Sequence, residues 1–356
     1  MPIVEVPVEG LAGPSGDTPE RAPGSARRTS HVDVDRDGAA WDAPTGITGV
    51  ARDVVTAPDG EGSVAKEVSL VLRADGPGGL VNEIRSDPAE PRLDQLLGTP
   101  VMVGFRRAVA AALPDHVSAW TPLYRLLDDV PLAFLVSGHS MMLGEPEPDE
   151  PALPRAGSLG PAPKRGPQLD VCAGWQGGGM LGRLIETSGT IPHSLGPPAP
   201  DLVVAGDPLA WHERPVVRPR VTRRTRRLDL IPSGEGSARI DAHFRDSYGH
   251  IDGSERSLHE YTLAVEVELP SGVIRSAEAT PRALPWPECP QAVGSAGRLR
   301  GLSVDQLPDR VRREFTGITT CTHLNDTMRA LADAAALLRL LVPVPSGATP
   351  LPEDTA

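Results

Sequence analysis

The feature that most constrains this chain is an internal echo. Arg27-Arg28-Thr29 with Asp33 reappears as Arg223-Arg224-Thr225 with Asp229, an offset of 196. Arg52-Asp53 reappears as Arg245-Asp246 at an offset of 193, and the same offset pairs Val68-Ser-Leu-Val-Leu with Tyr261-Thr-Leu-Ala-Val, Gly79-Leu80 with Gly272-Val273, and Pro88 with Pro281. Thr121-Pro-Leu123 then matches Thr322-His-Leu324 at 201, so the second copy is the longer one between Pro281 and its last helix. Anchors in one order at nearly constant spacing read as duplication. The 356 residues then hold two diverged copies of one unit, at 27–143 and 219–345, rather than two unrelated domains.

Composition shows where the chain should break. It has 37 glycines and 39 prolines, together about 21% of the chain, and only 3% aromatic residues. Residues 144–168 hold seven prolines and the run Glu145-Pro-Glu-Pro-Asp-Glu, which reads as an extended, solvated linker. Residues 1–26 and 346–356 carry no apolar periodicity and are expected to be disordered, which leaves a short β-rich middle segment at 169–218. The start, Met1-Pro-Ile-Val-Glu-Val-Pro, lacks the basic and apolar regions of a leader, and the apolar stretch near 334–342 is too short to span a bilayer, so no membrane partner is expected. Three cysteines, Cys172, Cys289 and Cys321, are too few for a disulfide scaffold, and a cytoplasmic location follows as the expectation.

Each copy reads as α+β, an antiparallel sheet covered on one face by a C-terminal helix. In the second copy Tyr261, Leu263, Val265, Val267 and Leu269 alternate with Glu260, Thr262, Ala264, Glu266 and Glu268, the period of a half-buried strand. Pro270-Ser-Gly272 turns the chain, Val273 to Ala279 returns it, and Ile240, Ala242 and Phe244 alternate upstream, which makes at least three strands. Leu324, Met328, Leu331, Ala335, Leu338 and Val342 then fall at helical spacing, with Asn325, Arg329, Asp333 and Arg339 off the stripe. The first copy repeats this with a strand at Val68–Leu72 and a helix at Thr121–Leu135, which Pro131 should shorten or kink.

The second copy also gathers His259, Cys289, Cys321 and His323, donors that suit one zinc or iron ion. His259 lies two residues before Tyr261 and therefore on the face the helix should cover, while Cys321 and His323 open that helix. A helix N-terminus favours thiolate, so Cys321 with His323 or His259 as base is also a candidate catalytic pair for a small-molecule hydrolase, lyase or isomerase. Cysteine is equally at home as core packing, and the chain could be a non-catalytic interaction module with a small-molecule or protein partner. The aligned positions in the first copy are Lys66, Trp120 and Pro122, which cannot hold the same site.

Thr320-Cys-Thr-His-Leu-Asn-Asp-Thr, the strand opening Leu258-His-Glu-Tyr and the loop from Pro281 to Cys289 together resemble the bacterial family of domain of unknown function 2889. The likeness spans about residues 220–340. It implies a shared fold and draws attention to His259, Cys289, Cys321 and His323, but it brings no reaction with it. Glu260 and Tyr261 stand where the family carries Asp and Met, and Thr320 where it carries Gly. The order of strand histidine, loop cysteine and Cys/His helix start is also similar, at the level of analogy, to iron–sulfur cluster scaffolds.

Other features are weaker. Arg218 to Arg227 holds six arginines but no stacking aromatic in an acidic chain of net charge −12, so a solvated strand facing carboxylates is expected rather than nucleic acid. Gly174-Trp-Gln-Gly-Gly-Gly lacks the phosphate-loop ending and reads as close backbone packing. Cys172 reads as a buried strand residue, or as a further ligand from the middle segment, and His193, His212, His243 and His250 as surface or structural.

Overall fold

A computed structural model describes residues 3–4, 8–37, 43–76, 78–140, 169–188, 193–234 and 236–341. After a two-residue strand β1 (Ile3–Val4), four strands follow: β2 (Ser25–Arg36), β3 (Thr45–Thr56), β4 (Gly62–Asp75) and β5 (Leu80–Asp87). Then come α1 (Phe105–Ala112), α2 (Pro114–Ala119) and α3 (Pro122–Ser140). The middle segment contributes a 3₁₀ turn (Ala173–Trp175), α4 (Met180–Ser188) and β6 (His193–Ser194), which pairs with β1. The second half has β7 (Thr222–Pro232), β8 (Ser237–Gly249), β9 (Glu255–Glu268) and β10 (Ile274–Ala283). It closes with α5 (Leu307–Glu314), α6 (Thr322–Ala330) and α7 (Ala334–Leu341).

The α+β class holds, and the two halves share one sheet. Its eight strands run β10-β9-β8-β7-β2-β3-β4-β5, all antiparallel, with β2 and β7 joining the halves. The junction is reciprocal: Arg27 binds Asp229 across it (2.5 Å), and Arg223 binds Asp33 (2.6 Å). On the other face Arg28 grips Asp53 through two nitrogens (2.6 and 2.7 Å), and Arg224 grips Asp246 the same way (2.8 Å each). Even the register break recurs, after Asp53 opposite Lys66 and after Asp246 opposite His259.

Both helices lie on one face, each over its own core. Leu126, Leu127, Val130 and Phe134 of α3 pack with Val32, Ile47, Leu70 and Leu72. Leu324, Met328, Leu331 and Leu337 pack with Leu228, Ile240, Phe244 and Val265. Full burial of each such side chain contributes roughly 1.5–3 kcal/mol, and the α3 set explains why this helix runs through Pro131 to Ser140 although proline removes one hydrogen bond. The second helix tightens into a 3₁₀ turn at Leu331–Asp333, so burial passes to Ala334 and Leu337 rather than Ala335 and Leu338.

Several expectations need correction. Residues 11–24 are not loose, because Ser15 N–H donates to Glu260 (2.7 Å), Ala12 N–H to Pro281 (3.0 Å) and Arg21 to Asp207 (2.9 Å). With residues 195–218 this strap covers the second face of the sheet, which is why β2 and β7 are buried on both sides. The arginines of β7 are therefore enclosed rather than solvated, and each is matched to carboxylates. The middle segment is turn, helix and coil rather than β-rich. Asp333 is not on a solvent face but binds Arg125 (2.9 Å) inside the helix layer. The expected linker 144–168, tail 346–356 and Val342 lie outside the described residues.

Candidate metal centre

β8 and β9 meet where Asp246 stands opposite His259, and the first turn of α6 brings His323 over them. Asp246 Oδ2 is 4.0 Å from His259 Nδ1 and 3.7 Å from His323 Nε2. Among the described residues, these three make the one group of three histidine, cysteine or acidic donors whose ligand atoms all lie within 4.8 Å of one another. The gaps exceed a hydrogen bond, whereas two donors ~2.1 Å from a tetrahedral ion stand roughly 3.4 Å apart, so small side-chain motions would close them on an ion.

The donors are in the right state. Burial, with Arg224 and Arg226 nearby, lowers His323 to about 3, and burial beside His323 holds His259 well below its ordinary value. Both shifts favour neutral rings, which stack with their centroids 3.5 Å apart. His259 Nδ1 is a buried nitrogen without a hydrogen-bond partner. Arg224 takes one lone pair from each oxygen of Asp246 and fixes its plane, and a carboxylate has about four such sites. His139 from α3 approaches His259 while its Nε2 meets the Ser194 carbonyl (2.9 Å). Both site histidines keep a partly accessible edge, 15% for His259 and 16% for His323.

Of the four residues picked out from the sequence, His259 and His323 come together, and Cys289 and Cys321 stand outside their group. Cys321 caps α6 with its thiol against the buried Tyr261, while Cys289 begins the 3₁₀ stretch Cys289–Leu299. The reactive thiolate expected of Cys321 does not follow. Burial raises its pKa despite the Tyr261 hydroxyl and the amides of Leu324 and His323, and the neutral thiol is favoured. Cys172 is buried beside the 3₁₀ turn rather than in a strand. His212 and His243 are structural: His212 links Thr29 (2.7 Å) to His31 (2.6 Å), and His243 meets Glu260 (3.1 Å). Asp246, which completes the group, is not among the residues singled out from the sequence, although it stands in the repeat anchor Arg245-Asp246.

On the first half the same place is a small cavity of about 70 Å³ lined by Arg28, Asp53, Lys66, Ala119, Thr121 and Arg339. No histidine lines it.

Residues 222–337 match the family model described as Protein of unknown function (DUF2889), and all three donors fall inside the match. No curated protein and no solved structure matches the chain significantly.

Proposed function

We propose that this chain, whose C-terminal third matches that family, binds one transition-metal ion through Asp246, His259 and His323. The observation that carries the reading is the buried, partnerless His259 Nδ1 facing a carboxylate oxygen and a second neutral imidazole. Two imidazoles and one carboxylate suit zinc or iron(II). Three protein donors leave a coordination position open, and a bound ion would there supply Lewis acidity for hydrolysis or isomerisation of a small molecule. Arg224 would hold Asp246 in plane, and α6 would hold His323 neutral at its first turn.

The reading extends to the whole chain. The reciprocal Arg–Asp pairs, the repeated register break and the repeated helix support descent from a duplicated unit, in which Lys66 and Pro122 replace the two histidines of the first copy. Three free buried thiols fit a reducing, cytoplasmic setting, and no helix among the described residues is long and apolar enough to cross a membrane.

The test is zinc and iron(II) binding by the full chain after chelation. One equivalent should bind to the wild type and be lost in His259→Ala and in His323→Ala, and equal uptake by wild type and both variants would refute the assignment.

A further inference from the structure

The two halves set the same Arg–Asp pair beside opposite chemistry. In the second half Asp246 stands opposite His259, and in the first Asp53 stands opposite Lys66, each at the last step before the register break. The first-half cavity, about 70 Å³, is lined by Arg28, Asp53, Lys66, Thr121 and Arg339 and offers several times the roughly 10–15 Å³ that one water requires. Its charges do not cancel. Arg28 is occupied by Asp53 through two nitrogens (2.6 and 2.7 Å), by the Trp120 carbonyl (2.6 Å) and by Asp333 (3.4 Å). Among the described residues Lys66 makes no ion pair or hydrogen bond, and the adjacent Glu67 turns instead to Arg52 (3.9 Å). Arg339, near the end of α7, donates to the Ala119 carbonyl and has no carboxylate partner among the described residues. Both cations are exposed, so the cavity opens to solvent on their side. Thr121, whose hydroxyl accepts from Tyr124 N–H (3.2 Å), starts the 19-residue α3 at the same place, and the positive end of that helix adds to the field.

We propose that this cavity binds one small phosphate-type oxyanion, free or as the phosphoryl end of a small molecule, with Lys66 and Arg339 as its two charged donors. Arg28 neutralises Asp53 and keeps that carboxylate from repelling the ligand, which leaves the two exposed cations to be matched. A phosphoryl group, with about −1.5 to −2 charge near neutral pH, balances both, whereas a single carboxylate would leave one over. Arg339 brings planar N–H donors that suit phosphate oxygens, and Lys66 brings a compact point charge. The same two charges repel a metal ion. The related places in the two halves therefore take ions of opposite sign, a cation where Asp246 meets two neutral imidazoles and an anion where Asp53 meets an ammonium and a guanidinium. The cavity shares no residue with the Asp246–His259–His323 group, so either site can fill without the other.

The test is equilibrium dialysis of the chelator-treated full chain against inorganic phosphate and, separately, against methyl phosphate, with ionic strength held constant by sodium chloride. The wild type should take up one equivalent. Uptake of inorganic phosphate alone assigns the free ion, and uptake of methyl phosphate, alone or as well, assigns the phosphoryl end of a larger molecule. Because both side chains are exposed, Lys66→Met and Arg339→Met should keep the wild-type circular dichroism, and each should weaken binding about tenfold or more, the loss of one charge-assisted hydrogen bond. His259→Ala should bind as the wild type does. No saturable uptake of either anion would overturn the proposal whatever the variants do. Binding unchanged in Lys66→Met or in Arg339→Met, or lost in His259→Ala, would overturn it too, by placing the anion elsewhere.

Discussion

Replacing Asp326 by asparagine takes one negative charge out of the layer between the two long helices and the sheet. Its carboxylate is 3% exposed. It accepts hydrogen bonds from Arg224 (2.8 Å), Arg226 (2.5 Å), Arg106 (3.0 Å) and Arg329 (2.9 Å). Those arginines also bind Asp128 and Asp129 of α3 and Asp246 of β8, so the charge joins the two halves. Asparagine keeps the shape but turns an acceptor into a donor facing guanidinium groups, and Arg226 already has one buried nitrogen without a partner. Leaving buried charge uncompensated costs about 3–5 kcal/mol. With an unfolding entropy of about 2.1 cal/mol/K per residue over roughly 300 ordered residues, Tm should fall by about 5–8 °C.

Urea and thermal unfolding followed by circular dichroism measure this, with Glu314→Gln as the control. That substitution breaks the exposed Arg310–Glu314 pair and should change stability by less than ~0.5 kcal/mol. Asp326→Asn should also flatten the acid side of the stability curve. Burial opposes ionisation of Asp326, but Arg226, Arg106 and Arg224 outweigh it and hold the pKa below the ordinary carboxylate range. Its stabilisation is therefore complete above the unfolded value, about 4, and is lost as pH falls below that. A change within ~1 kcal/mol of wild type would refute the claim that these charges are held out of water.

Three further outcomes follow from other places in the fold. Burial lowers His31 to about 3 and His212 to about 2, each below its unfolded value, so stability should be full above pH ~6.5 and decline toward pH 3; between pH 7 and 5, His31→Gln should lose about 2 kcal/mol less than wild type in urea titrations. Gly174→Ala places a methyl 2.6 Å from Cys289 Sγ and 3.2 Å from Trp286, and equilibrium unfolding should show a loss of about 1–3 kcal/mol. All three thiols should resist iodoacetamide at neutral pH in the folded, metal-free chain and react in urea; rapid native alkylation of Cys321 would restore the thiolate reading.

Much of this architecture was legible because it is written in local periods. Tyr261 to Leu269 alternates, and β9 puts that apolar face under the helix; Leu324, Met328 and Leu331 fall on one helical stripe and are fully buried. The echo of Arg27-Arg28 and Arg223-Arg224 marked the two strands that pair at the centre of the sheet. What escaped is long-range. A charged residue off an apolar stripe normally faces water, so Asp333 gave no local sign that Arg125, distant in sequence, would cover it. Residues 11–24 have no period because their order comes from Glu260, Pro281 and Asp207 on other segments. At the site, His259 and His323 were legible from strand phase and helix start. Asp246 needed the hairpin register that sets it opposite His259, and Cys289 needed the course of an irregular loop.

The most direct test of the central claim is cobalt(II) binding to the full chain with its three thiols alkylated in urea and the protein refolded, so that sulfur cannot contribute. One equivalent should bind with visible bands of nitrogen and oxygen ligation and no thiolate charge transfer, be displaced by zinc and be abolished in His259→Ala. Retention of that equivalent in His259→Ala, or no cobalt bound by refolded protein of native circular dichroism, would contradict it.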